Sequence, residues 1–331
     1  MLYIETDNRD AAFHFSVEEH IMRSFTSDEP VVMIWRTRPC VMLDNYQIPD
    51  AEIDMMYAKE AGIQVVRRSS GGGAIFTDSG TLLFTMILPP ADVRYLQQIA
   101  KEMIAGLVVG ALNHMGIPAK AEGRNDILIE GKKVSGMAQY VRHGRICTHG
   151  SLLYSADLET LARVLRADSD KIRSKAVSSV RSRVTNLMEY TGAAYSILEF
   201  KELLKRNLFA DQQVRNYELS HTELAQVDQI YHDQYGNPSW TIGRTPRFSF
   251  RNSKRFAGGK VEVFLDVRKG EVASCSICGD FLGTVPIRHL EEHLERRAFL
   301  YQSFDSALSE ISLAPFLGDI TKDQLLSCLF E

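Results

Sequence analysis

Arg67-Arg68-Ser69-Ser70-Gly71-Gly72-Gly73-Ala74-Ile75-Phe76 is the stretch from which the rest of the chain can be read. It follows a short apolar run, Gln64–Val66, that reads as a strand. Three successive glycines then let the backbone turn sharply and present bare N–H groups. Such donors, with two arginines beside them, suit a phosphate or carboxylate ligand. Taken alone, the run stays open between a ligand loop and a flexible surface turn. A GxxxxGK[ST] phosphate loop is excluded, because Lys132 and Lys260 lack a glycine at the required spacing.

Working outward, helical and strand periods alternate without a long repeat. Phe13, Val17 and Ile21 recur every four residues and predict an amphipathic helix over 11–25. Strand-like runs lie at Val31–Trp35 and Leu82–Leu88, the latter stopped by Pro89-Pro90. Leu96, Ile99, Met103, Leu107, Val108, Leu112 and Met115 form one apolar stripe of a long helix, with Gly116 at its C-cap and Pro118 beyond. Further strands are predicted at Asp126–Glu130 and Ser151–Tyr154, and helices near 157–166, 196–209 and 221–233. This mixed order predicts an α+β fold rather than regular βαβ winding. A composition shift at Tyr235–Trp240 places a domain boundary between 236 and 246. Beyond it come a hairpin, Lys260–Val267 and Glu271–Cys278, and a helix from Ile287 to Leu300.

The 331 residues carry 38 Lys plus Arg against 42 Asp plus Glu, a net charge of −4 that gives no reason to expect a nucleic-acid partner. The longest apolar run, near Ile104–Leu112, is half of what a membrane span requires, so no membrane partner is expected. No secretory signal is visible at the amino terminus, and five scattered cysteines form no disulfide framework. The expectation is a soluble, cytoplasmic protein of two domains. Cys275-Ser-Ile-Cys278 has no second ligand pair, and its thiols would point to opposite faces of a strand, so core cysteines are expected there and no protein-bound metal.

Three further segments carry chemistry. Gly123-Arg124-Asn125-Asp126-Ile127-Leu128-Ile129-Glu130-Gly131-Lys132-Lys133-Val134-Ser135-Gly136 reads as a hairpin turning at Glu130-Gly131. A lysine held on such a rigid element can aim its ammonium at charge developing on a phosphate or carbonyl oxygen. Lys132 fits a solvated hairpin tip; Lys133 fits it less well. His149-Gly150-Ser151-Leu152-Leu153-Tyr154 follows, and then Ser178–Leu187, which alternates cations with hydroxyls after Lys171, Arg173 and Lys175. That is the one distinctly basic stretch of the chain.

In this order the segments resemble the lipoate–protein ligase A family: an Arg-Arg-x-Ser-Gly-Gly-Gly-Ala-Ile-Phe run, Gly-Arg-Asn-Asp, Lys-Val-Ser-Gly, His-Gly-Ser-Leu-Leu and Ser-Val-Arg-Ser-Arg-Val-Thr-Asn-Leu. The resemblance continues through Gly259–Val267, Gly270 and Gly279-Asp280-Phe281, which look like the family's small accessory domain. It implies a large mixed-sheet catalytic domain of the biotin/lipoate ligase type over 1–240, and a small α+β C-terminal domain over 246–331. It also implies a two-step reaction. Lipoate is activated with ATP and Mg²⁺ to lipoyl-AMP, and the lipoyl group is then passed to one lysine of an acceptor. The implied acceptors are lipoyl domains of 2-oxoacid dehydrogenase E2 subunits or the glycine cleavage H protein.

Carried over residue by residue, Lys133 is the catalytic group. Arg68, Gly71, Gly72, Gly73, Ala74, Ile75, Phe76, Asn125, Asp126, Ser135, Gly136, His149 and Gly150 bind the nucleotide or adenylate with it. Lys175, Arg181 and Arg183 are phosphate contacts. Four positions depart from the pattern: Asp44 for a glycine in a Val-Ile-Gly-x-x-Gln run, Thr77 for His, Met137 for Ser or Asn, and Ala176 for glycine. A carboxylate at 44 is unfavourable near an anionic ligand unless it is paired. Two other readings stay open. One is an ATP-independent octanoyl or lipoyl transferase working through a Cys147 thioester beside His149. The other is a degenerate, non-catalytic lipoate-binding paralogue.

Overall fold

In the computed structural model the described residues are all but 91–92, 124, 166–182, 193–194, 211, 243–248 and 331, with the side chains of 50–51 and 93–99 also outside the description. Strands β1 (Leu2–Ile4), β2 (Val31–Trp35), β3 (Cys40–Leu43), β4 (Gln64–Arg67), β5 (Ile75–Thr77), β6 (Thr81–Leu88), β7 (Lys120–Glu122), β8 (Asp126–Ile129), β9 (Lys132–Arg142), β10 (Arg145–Leu153) and β11 (Arg215–Asn216) build two sheets. An eight-stranded sheet runs β11-β1-β2-β6-β10-β9-β8-β7, and a three-stranded sheet runs β4-β3-β5. The large sheet is mixed: β1 pairs parallel with β2 and β11, while β2 through β7 pair antiparallel.

Alternation along β2 shows how the sheet is covered. Val32 and Ile34 join one apolar cluster with Ile104, Val108, Leu112, Phe200 and Leu204, beneath helices Val93–His114 and Ile197–Leu208. Val31, Met33 and Trp35 join another with Phe15, Val17, Ile21 and Val227, beneath helices Ala11–Ser24 and His221–Ile230. Successive side chains of a strand point to opposite faces, and burial on both explains why β2 reads as an unbroken apolar run. Helix starts are set locally. Asp10 accepts from the amide of Ala12, and Ser196 and Ser220 each form a capping box with Glu199 and Glu223.

The C-terminal part has its own sheet, β12 (Phe250–Phe256), β13 (Gly259–Arg268) and β14 (Glu271–Gly279), and its own apolar cluster from Val261 to Leu329. Tyr46 belongs to that cluster too, with its ring stacked 5.0 Å from Phe281. The Val141 amide donates to the Thr284 carbonyl at 3.2 Å, so residues 281–285 lie along the larger unit. Cys275 is buried and Cys278 half-buried, with β14 alternating as the strand reading requires. One helix is shorter than its sequence pattern: it spans Arg288–Leu294 only. The chain then leaves the helix with Arg296 at φ 63°, and its backbone pairs with the edge of β14 through Arg296 N to Val272 O and Val272 N to Arg297 O. Edge pairing there outcompetes the apolar period. Among the described residues, no helix is long and apolar enough to cross a membrane.

Candidate active site

The glycine run leaves β4 and reaches β5 by folding back on Arg68. This guanidinium is buried and spends its donors inside the loop. Nε donates to Ser70 Oγ at 2.9 Å, one terminal nitrogen to the Met42 carbonyl at 3.0 Å, and the other to the Gly71 and Gly73 carbonyls at 2.9 Å each. Burial pulls its pKa below the ordinary arginine value, with Asp44 and Glu18 opposing that shift. Removing Arg68 would strand the buried Met42 and Gly71 carbonyls at about 1–3 kcal/mol each, so it braces the loop from within. Gly72 sits at φ 107°, a left-handed value that favours glycine, with Arg68 directly beneath it. Gly71 faces the other way: a Cβ there would overlap the carbonyl oxygen of Phe281.

Beside the loop lies a cavity of about 130 Å³. Phe15, Trp35, Met42, Leu83 and Met137 give it apolar walls, and Arg68, Asn125, Lys133 and His149 give it polar ones. Gly72, Gly73, Ala74, Ile75, Gly136, Ala138 and Gly150 complete the lining. Gly71 and Phe76 do not line it; Phe76 is buried between the small sheet and helix Leu158–Val164.

Lys133 is aimed into the cavity by a bulge. The register of β8 against β9 shifts between Ile127, opposite Ser135, and Leu128, opposite Lys133, so Val134 is an extra residue. The bulge turns Val134 into the core and re-aims Lys133 toward Gly136. Its ammonium lies 2.7 Å from Asp126 Oδ1, with both side chains over one-third exposed. Such an ion pair contributes only about 0–1 kcal/mol, so the ammonium can turn onto an arriving phosphate or carbonyl at little cost. Its backbone is pinned by the segment after the basic stretch: Lys133 N donates to Arg183 O at 2.7 Å, and Thr185 N to Lys133 O at 3.0 Å. Asn125 holds β9 at Met137 in both directions, at 2.8 Å each.

The remaining candidates divide. Ser135 is buried off the cavity, and its hydroxyl finds no hydrogen-bond partner among the described residues. Arg183 has an exposed side chain; Lys175 and Arg181 lie outside the described residues. His149 is buried, its ring held by Ser70 and Glu18. Asp44 is fully buried: Oδ1 accepts from the Tyr46 amide at 2.6 Å, Oδ2 has no hydrogen-bond partner among the described residues, and burial drives its pKa well up. Burial likewise pushes the Cys147 thiol well above the ordinary range. Glu18, Cys147 and His149 are the one group of three possible metal donors among the described residues, but the carboxylate and imidazole are already paired to each other. The apolar walls and the buried Glu18 were not legible as site residues. Their only sequence signal is periodicity, which marks core just as well.

Comparison with known proteins gives the same frame. The model of the lipoyl protein ligase A/B catalytic domain matches residues 10–209, and that of the bacterial lipoate protein ligase C-terminus matches 245–329. Lipoate-protein ligase LplJ of Bacillus subtilis is 32% identical, with 100% of each chain covered. A bi-partite lipoate protein ligase from Thermoplasma acidophilum, described with its E2 lipoyl domain, is 27% identical at a TM-score of 0.67, covering 75% of this chain and 98% of that one. The P. falciparum LipL1 structure in complex with lipoate is 19% identical at 0.78, covering 100% and 99%. A lipoate-protein ligase A bound with ATP is 24% identical at 0.65, covering 73% and 98%. The last two are likenesses of fold.

Proposed function

The chain belongs to the lipoate–protein ligase family, and on that premise we propose that it is an ATP-dependent ligase that activates lipoate and passes the lipoyl group to lipoyl domains. In the first step the lipoate carboxylate attacks the α-phosphorus of Mg²⁺-bound ATP, giving lipoyl-AMP and releasing pyrophosphate. In the second the ε-amine of an acceptor lysine attacks the mixed anhydride, forming an amide and releasing AMP. The acceptors are lipoyl domains of E2 subunits or the glycine cleavage H protein. The relative described with its E2 lipoyl domain and the one bound with ATP support this choice of partner and nucleotide.

The observation that carries the reading is Lys133, re-aimed by the bulge to the mouth of an apolar cavity beside the glycine loop. The acyl chain fills the space between Phe15, Trp35, Met42 and Met137, and its carboxylate emerges between Lys133 and Gly72–Ile75. Both steps build negative charge at one carbonyl–phosphate junction, so one fixed cation serves both. Residues 1–240 carry this chemistry, and 246–331 cover the loop through Phe281 and Leu282, as the packing at Gly71 and Gly72 supports. The buried, protonated Cys147 is a poor nucleophile, which disfavours a thioester route. Pyrophosphate–ATP exchange that requires lipoate tests the activation step; exchange absent with lipoate and with octanoate would overturn it.

A further inference from the structure

A continuous chain of buried hydrogen bonds runs from the wall of the acyl cavity to the glycine loop. Trp35 Nε1 donates to Thr85 Oγ1 at 3.0 Å, and Thr85 donates to Glu18 Oε1 at 2.6 Å. The Glu18 oxygens lie 3.2 and 3.1 Å from His149 Nδ1, and His149 Nε2 lies 2.6 Å from Ser70 Oγ. Arg68 Nε donates to that same Ser70 oxygen at 2.9 Å, and Arg68 holds the Gly71 and Gly73 carbonyls. Glu18 and Thr85 are 1% exposed and Ser70 0%, so these bonds are shielded from bulk solvent.

Counting protons fixes the direction of every link. Ser70 has one hydroxyl proton and, among the described residues, two partners; Arg68 can only donate to it, so His149 Nε2 is the acceptor left for that proton. Nε2 is then the acceptor and Nδ1–H the donor, which points the imidazole at the Glu18 carboxylate. Thr85 accepts from the Trp35 indole, so its proton also goes to Glu18. The carboxylate thereby receives a donor from each side. Its two dependants, Trp35 and His149, both line the cavity. Nothing in the two-step chemistry at Lys133 calls for a buried acid at this place.

We propose that Glu18 is a positioning residue that couples the acyl cavity to the glycine loop, so that the carboxylic acid and the nucleotide each tighten the other's binding. The inference rests on the ligase reading above. An acyl chain against Trp35 and His149 restrains the cavity end of the chain, and the restraint reaches Gly71 and Gly73 through groups with one satisfied arrangement. A nucleotide arriving second meets a loop whose ordering has already been met, which is positive cooperativity without a new contact. Linkage makes the effect reciprocal.

The test uses the full chain, with lipoate and the non-hydrolysable α,β-methylene analogue of ATP with Mg²⁺, titrated separately and together. Saturating lipoate should tighten the analogue within the usual allosteric range of about 5–150-fold. Glu18→Gln and Ser70→Ala interrupt the chain at different points. Each should bind either ligand alone within a small factor of the wild type, while the coupling factor falls toward one. Ser69→Ala should keep the wild-type factor, because Ser69 bonds Tyr235 outside the chain. A merely structural role would weaken both affinities and leave their ratio intact. Retention of the wild-type factor in both variants overturns the proposal, as does a wild-type protein that binds both ligands with no coupling. A wild-type protein that binds neither ligand overturns the ligase reading itself, and the coupling with it.

Discussion

The ammonium of Lys133 lies over Gly136, so close that a Cβ on that glycine would stand 3.0 Å from both Cε and Nζ. The absent side chain is what leaves the cation its place at the cavity mouth. Gly136→Ala should displace the lysine tip by a few tenths of an ångström while the backbone stays put. Misplacing a catalytic group by 1 Å can cost about 10²-fold, so a loss of roughly tenfold in ligation is expected. Thermal unfolding should be nearly unchanged, separating misplacement from misfolding. An Ala variant that ligates normally would mean that the cation need not sit there.

Lys133→Ala should depress both half-reactions, each by roughly 10²–10³-fold if the ammonium acts as an oxyanion-type donor. Lys133→Arg should recover only part, because a planar guanidinium does not occupy the place of a compact ammonium. Lys132→Ala is the control, since Lys132 is not part of the cavity lining. Pyrophosphate release reads the first step, and transfer from synthetic lipoyl-AMP reads the second. Equal losses in the two alanine variants would refute the assignment.

Asp44→Asn should stabilise the protein at neutral pH. The buried carboxyl has a folded pKa raised well above its unfolded value by burial, so the unfolded chain loses this proton first as pH rises. The folded state is therefore progressively disfavoured from the unfolded pKa upward until the folded pKa is passed. Below the unfolded value both states hold the proton and the penalty vanishes. Melting curves from acid to neutral pH should show the gain from Asp44→Asn growing with pH. A gain that shrinks toward neutrality would contradict this account.

Lipoate with ATP should raise the melting temperature well beyond lipoate alone. A ligand that binds only the folded state adds about 2.7 kcal/mol at 100 times its dissociation constant. On the proposed reaction, lipoyl-AMP formed in place would span the cavity and the loop together. An unchanged curve with both ligands present would argue against adenylate formation.

Much of this was legible in the sequence because local signals agreed with the fold. The helix Ala11–Ser24, the strands Val31–Trp35 and Thr81–Leu88, and the hairpin turning at Lys269-Gly270 follow their apolar periods and turn residues. The glycine run and Lys133 carried their chemistry in residue type. What stayed hidden depends on partners far along the chain. The bulge at Val134 shows only once β8 and β9 are paired. The sequence gives no sign that the missing side chain of Gly71 makes room for Phe281, 210 positions away. Glu18 lies on a helix whose apolar period explains its neighbours, and its role needs Thr85 and His149 from two other strands.

ATP-dependent lipoylation is read from the mass of an apo lipoyl domain incubated with the protein, lipoate, Mg²⁺ and ATP. A single lipoyl increment is expected that requires ATP, is matched by AMP formation, and survives Cys147→Ser. An increment that forms without ATP and disappears in Cys147→Ser would contradict ATP-dependent ligation.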